Sequence, residues 1–172
     1  GVDLASTLTG FSWLNGNTTL QLNFTALTTV GVYKLAIGPQ ILSAGGTAMD
    51  QNQDGVAGEA TLDQYTASFG YETQLLQVAS TSPAVGSLVS LPLTSIDVHF
   101  NEPFDSTTVG VNDLTPSQGS VTGTSVINST TVRYQLSGIT SEGALTLSMA
   151  AGALLDQDGF PMLAFSGTYQ TD

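Results

Sequence analysis

The chain has 172 residues, with 14 acidic side chains against two basic ones, Lys34 and Arg133, and a formal net charge of -12. That balance excludes a nucleic-acid footprint, which needs a basic face, and equally a docking surface for anionic lipid. With 41% apolar and 9% charged residues the sequence has material for a core, and the lack of cysteine excludes disulfides, thiolate metal sites and a cysteine nucleophile.

In chain order, the first strand-like signal is Phe11-Ser12-Trp13-Leu14, in which the aromatic residues Phe11 and Trp13 alternate with Ser12 and Leu14. After the turn Asn15-Gly16-Asn17 comes a clear period-two run, with Leu20, Leu22, Phe24 and Ala26 set between Thr19, Gln21, Asn23 and Thr25. This is the pattern of a strand with one buried face. Val32 to Ile37 and Tyr65 to Phe69 repeat it, and Gly45-Gly46 and Asp54-Gly55 mark turns between them. Residues 75–82 read as a linker ahead of Pro83, which restricts the residue before it to extended conformations. Further alternating runs follow at Ser95 to Phe100, Thr131 to Leu136 and Ala144 to Met149, with Ser137-Gly138 and Asp158-Gly159 as turns. No 3.6-residue periodicity persists beyond two turns, so the expected class is all-β, built from antiparallel sandwiches. No apolar run approaches the roughly 18 residues of a membrane-spanning helix.

An internal repeat organises these runs. Asn17–Ile37 lies over Ser129–Met149 without a gap, matching Leu20 with Val132, Leu22 with Tyr134, Phe24 with Leu136 and Leu35 with Leu147. Ile41–Met49 then parallels Ala153–Met162 after a one-residue shift. The reading is two β-sandwich modules, residues 1–74 and 83–172, the first lacking a counterpart for Pro83–Ser125. A sandwich without its opening strands has an open sheet edge and a partly uncovered core. Residues 1–74 are therefore expected to be completed by other domains of the same polypeptide or by a second chain. The start at Gly1, directly ahead of strand-like sequence, adds the expectation of a piece of a larger protein.

Residues 83–172 carry Pro83, Gly86, the strand Ile96-Asp97-Val98-His99-Phe100, then Asn101-Glu102-Pro103-Phe104-Asp105 and the late loop Leu155-Asp156-Gln157-Asp158-Gly159. These phrases resemble the bacterial Ig-like domains of surface-layer and other cell-surface proteins. The resemblance departs at Phe160-Pro161, where that family has Asn after the glycine. It implies Ig-like sandwiches acting as spacer, adhesion or scaffold modules, outside the cell or on its surface, without enzymatic activity.

The sharpest local signal is Asp50-Gln51-Asn52-Gln53-Asp54-Gly55-Val56-Ala57-Gly58-Glu59. Oxygen side chains at the first, third and fifth positions, glycine at the sixth and a backbone carbonyl at the seventh are the arrangement of a calcium loop. The predicted ligands are Asp50, Asn52, Asp54 and the carbonyl of Val56. Thr61 stands where such loops place a glutamate, leaving Glu59 or Asp63 to close the shell. The same residue types also build a solvated Asx/Gly turn with no ion. A second, sparser candidate combines Asp156 and Asp158 with Glu102 and Asp105, provided the end of the 95–100 strand meets the late loop.

Little else in the sequence bears chemistry. One histidine, His99, assembles neither a triad nor a histidine-rich zinc site. The leading expectation is a calcium-stabilised stalk or adhesion module of a bacterial surface protein. The alternative is a carbohydrate- or protein-recognition module, with Trp13, Tyr71 or Phe104 exposed at one end.

Overall fold

The computed structural model describes residues 4–172, which are all-β apart from two single-turn 3-10 helices, Ala5–Thr7 and Ser106–Thr108. No helix among these residues is long and apolar enough to cross a membrane. The chain divides into two compact units, 1–71 and 72–172.

The first unit is two hairpins. β1 (Leu8–Leu14) pairs antiparallel with β2 (Thr19–Phe24), Trp13 opposite Leu20 and Phe11 opposite Leu22. β3 (Gly31–Ile37) pairs antiparallel with β4 (Tyr65–Tyr71), and the Tyr33 and Phe69 rings stack at 5.5 Å. Each hairpin is a two-stranded sheet of its own. The alternation that produces these strands buries very little: among the described residues of this unit only Pro39 and Asp63 are buried. Phe11 remains 65% exposed, Phe24 46% and Phe69 46%.

The second unit comprises β5 (Val78–Ser82), β6 (Leu88–Val89), β7 (Ser95–Phe100), β8 (Thr115–Pro116), β9 (Ser120–Asn128), β10 (Thr131–Ser137), β11 (Gly143–Met149) and β12 (Phe165–Thr171). They form two four-stranded sheets, β5-β7-β10-β9 and β6-β12-β11-β8. One core lies between them, lined by Ile96, Val98, Val132, Tyr134 and Leu136 from the first sheet and Leu145, Leu147 and Tyr169 from the second. The buried Thr81 hydroxyl lies 2.7 Å from the Tyr169 hydroxyl and donates to the Pro83 carbonyl, so the ring's polar tip is satisfied inside the core.

Residues 75–82 are not a linker. Leu76 is fully buried in the core and Val78–Ser82 is β5, paired with β7. The apolar positions Leu76 and Val78 face that core, and Pro83 ends the strand instead of introducing it.

The registers of two hairpins coincide. Tyr33 lies opposite Phe69 and Leu35 opposite Ala67, as Leu145 lies opposite Tyr169 and Leu147 opposite Gly167. The connection 38–64 is longer than its counterpart 150–164, and the excess falls at Asp50 to Leu62.

The two leucines at matching positions should respond unequally to truncation. Leu147 is completely buried, so Leu147→Ala removes a packed side chain and is expected to cost about 2–5 kcal/mol. Leu35 is only half-buried, and Leu35→Ala should cost less than half as much; urea unfolding of both variants measures the difference.

Candidate metal centre

The Asp50 loop is held by Asn and Asp side chains that capture its own backbone. The Asp54 N–H donates to Asn52 Oδ1 at 3.2 Å, the Val56 N–H to Asp54 Oδ1 at 2.8 Å, and the Gly55 N–H to Asp50 Oδ2 at 3.1 Å. Asn52 Nδ2 also donates to Asp54 Oδ2 at 3.0 Å. Gln53 and Gly55 take positive φ, 60° and 90°, so the chain curls back at the DG step as a tight oxygen-lined turn demands.

Asp63 anchors this turn from below. It is fully buried, and its two oxygens accept from the Gln51 N–H at 2.8 Å and the Glu59 N–H at 2.9 Å, while its own N–H donates to the Glu59 carbonyl. Burial by itself raises a carboxyl pKa. Here the N–H groups of Glu59, Gln51, Asn52 and Gly58 outweigh it and hold Asp63 below its ordinary value. Asp63 thus enters the loop as a carboxylate clamp on both ends of the turn, with each oxygen already engaged.

Two other oxygens of the loop are left over. Asp50 Oδ1 and Glu59 Oε2 are buried and accept no hydrogen bond. The Glu59 carboxyl is pushed up by burial, then by the charges of Asp54 and Asp63, with Asn52 opposing. The structure therefore gathers Asp50, Asn52, Asp54, Glu59 and Asp63 in one loop, with the Val56 N–H turned to Asp54. Among the described residues no three histidine or carboxylate side chains converge as a metal-holding group, so an ion here would depend on Asn52 and main-chain carbonyls as well.

In the second unit the end of β7 does meet the late loop: Phe104 bridges to Asp156, and the Asp105 N–H donates to the Leu155 carbonyl at 2.9 Å. The four carboxylates differ in what they do there. Asp105 caps the 3-10 turn, accepting from the Thr107 N–H and hydroxyl, which lowers its pKa. Asp156 Oδ1 accepts from the N–H groups of Asp158 and Phe160, both at 2.8 Å. Glu102 Oε1 is buried without a partner. Its pKa is raised by burial and then by Glu72, Asp156 and Asp158. Sequence reasoning missed Glu72; it sits at the start of the second unit, and no spacing ties it to Glu102.

Arg133 forms a two-pronged ion pair with Asp97 at 2.7 and 2.8 Å, which holds the Asp97 pKa down. His99 Nδ1 lies 3.0 Å from the Thr131 hydroxyl. Phe104 is 3% exposed and packs edge-on against Phe100, so it offers no surface for recognition. A shallow depression of about 400 Å³ is lined by Phe11, Trp13, Asn17, Gln40, Ile41 and Leu42.

The pKa directions set a pH profile. Glu59 and Glu102 bind protons more readily folded than unfolded, so acidification through their raised values stabilises the fold. Asp63 is the reverse: its contribution is complete above the ordinary carboxylate pKa, about 3.9, and is lost as pH falls through its lowered folded value. Thermal melts should therefore peak in mildly acidic solution and decline at lower pH. Asp63→Asn should lower the melting temperature near neutrality and flatten the acid decline.

No protein-family model matches the chain, and no curated protein matches it. Among solved structures it is similar to the N-terminal part of the bacterial S-layer protein SbsC, at 17% identity and TM-score 0.46 over 58% of this chain and 24% of that one. Domains 1–6 of SbsC align at 19% identity and TM-score 0.45, over 56% of this chain and 14% of that one. PcoC, a methionine-rich copper resistance protein from Escherichia coli, aligns at 14% identity and TM-score 0.46 over 58% of this chain and its own full length. The chain thus spans about a quarter of the SbsC fragment, and none of these likenesses assigns it an activity.

Proposed function

We propose that the chain is a non-enzymatic structural module, a pair of Ig-like units in the stalk or adhesive part of a larger bacterial surface protein, with calcium bound at the Asp50 loop. The observation that carries the calcium reading is the pair of buried, unpartnered carboxylate oxygens, Asp50 Oδ1 and Glu59 Oε2, in a loop whose other oxygens already fold it into a turn. A buried acceptor with no donor costs free energy, and a carboxyl raised by burial and then by its acidic neighbours costs more; a hard cation offsets both penalties. The loop Asp156–Gly159 with Glu102 is a second, weaker place for the same chemistry, since it too leaves Glu102 Oε1 without a donor.

The structural role rests on the same inventory. The perturbed carboxyl groups among the described residues are tied to backbone turns, to Arg133 or to one another; the Phe11–Trp13 depression has neither acid nor base in its lining, and a second one, at Lys34, Leu35 and Ser68, has no acid. A catalytic site needs an acid, a base and a cleft in one place. Trp13, 41% exposed beside Phe11, Asn17 and Gln40, does favour a second reading, a recognition surface on which a sugar ring stacks on the aromatics. Quenching of Trp13, the lone tryptophan, by glycans and its loss in Phe11→Ala would support that reading.

Calorimetric titration of chelator-stripped protein with calcium tests the proposal. A saturable site that raises the melting temperature by mass action and disappears in both Asp50→Ala and Asp54→Ala is the expected result. No binding heat and no melting shift would leave the loop as an acidic turn held by Asp63. In chelator at neutral pH, Glu102→Gln should raise the melting temperature by removing a buried charge from beside Glu72, Asp156 and Asp158, and the gain should shrink as pH falls.

A further inference from the structure

We propose that β2 is a dimerisation edge, taking the β2 strand of a second copy of this chain antiparallel to itself to form a four-stranded sheet β1-β2-β2-β1. The proposal goes beyond the calcium reading and does not depend on it.

The first observation is the open edge. β2 has β1 on one side and no strand on the other among the described residues. Edge strands in soluble proteins are blunted by charges, prolines or bulges, because their free N–H and C=O groups template further pairing. The six residues of β2, Thr-Leu-Gln-Leu-Asn-Phe, have no charge and no proline, and β2 pairs with β1 without irregularity from Asn23 to Thr19. The bulge in this hairpin falls at Leu8 to Gly10, so β1 is the strand whose edge is protected.

The second observation is the uncovered face. Leu20 and Leu22 lie opposite Trp13 and Phe11, so one side of the hairpin is continuously apolar. Phe24 is 46% exposed and Trp13 41%. Val132, Tyr134 and Leu136, which the sequence repeat matches to Leu20, Leu22 and Phe24, are 0%, 0% and 5% exposed. The face of β10 is covered by Leu145, Leu147 and Tyr169 of the opposite sheet, while its own sheet is continued sideways by β7, antiparallel along β10, and by β5 beyond it, neighbours that β2 lacks among the described residues.

The third observation selects the occupant. A two-fold axis normal to a sheet makes like strands antiparallel, and a symmetric contact uses the same patch on both copies. Across β2 it produces hairpin against hairpin, all antiparallel, the same pattern and strand number as β9-β10-β7-β5. Of the open edges in the second hairpin, β4 corresponds in register to β12, whose neighbour β6 is parallel, which a two-fold axis cannot supply, and β3 corresponds to β11, whose antiparallel neighbour β8 is only the two residues Thr115–Pro116. A second copy therefore fits β2 and not β4. The strand itself brings no carboxylate to the contact, despite the chain's net charge of -12.

Sedimentation velocity over a concentration series, in chelator so that calcium plays no part, should show a species of twice the chain mass. Because the chain has no cysteine, single substitutions report the contact. Gln21→Cys on exposed β2 should cross-link two chains on mild oxidation, whereas Thr122→Cys on β9, the exposed edge of the second unit, should not. Gln21→Lys should convert the dimer to monomer by placing like charges across the axis, with the melting profile of the second unit retained. A monomer at every concentration overturns the proposal and leaves the edge to another segment of a longer polypeptide. A dimer that survives Gln21→Lys, or that cross-links through Thr122→Cys instead, overturns it as well.

Discussion

A sheet with apolar side chains on one face persists in water only when something covers that face, and this demand separates the two units of the chain. Residues 72–172 meet it internally: the inward positions of β7, β10, β11 and β12 close on one another, and Val98, Val132, Leu147 and Tyr169 have no exposure at all. Residues 4–71 have the same alternation and the same hairpin register, yet only Pro39 and Asp63 among them are buried, and large side chains such as Phe11, Phe24, Val32 and Phe69 stay in solvent. Burial at about 25 cal/mol per Å² is the main favourable term in folding, so the first unit draws its local order from elsewhere, in hairpin hydrogen bonds and in the Asp63 clamp.

Much of the strand inventory was legible because period-two alternation is a direct consequence of burying one face. β2, β3, β4, β7, β10 and β11 fall where the alternating runs are. β9 was not legible: Ser120–Asn128 has its apolar residues at Val121, Val126 and Ile127, out of phase across two register shifts against β10. β5 was read as a linker because Val78-Ala79-Ser80-Thr81-Ser82 is short and small; only the packing of Leu76 and Thr81 against the core identifies it. In the candidate metal centre the spacing of Asp50, Asn52, Asp54 and Gly55 revealed the turn. It did not reveal that Asp63 spends both oxygens on the backbone, because such bonds depend on where a distant residue is buried.

Charge placement follows from the same geometry. The strands of the first unit contain one charged residue, Lys34, and the carboxylates of its described residues all lie at Asp50 to Asp63. In the second unit Glu102 has acidic neighbours and no donor, while Asp97 has Arg133. Carboxylates are thus tolerated where backbone N–H groups or a guanidinium neutralise them, and are strained where they meet one another.

The positions of the two cations have a consequence for proteolysis. Proteases of the trypsin class cut after lysine or arginine and need several residues around the bond to be pulled out in extended form. Lys34 lies in the middle of β3, paired opposite Ser68, and Arg133 in the middle of β10, flanked by β7 and β9 and tied to Asp97. Every loop of the chain, including the long connection 38–64, is free of lysine and arginine. Such an enzyme therefore finds no cleavable bond in any exposed loop, and its rate of attack on the folded protein is set by the opening of a paired strand.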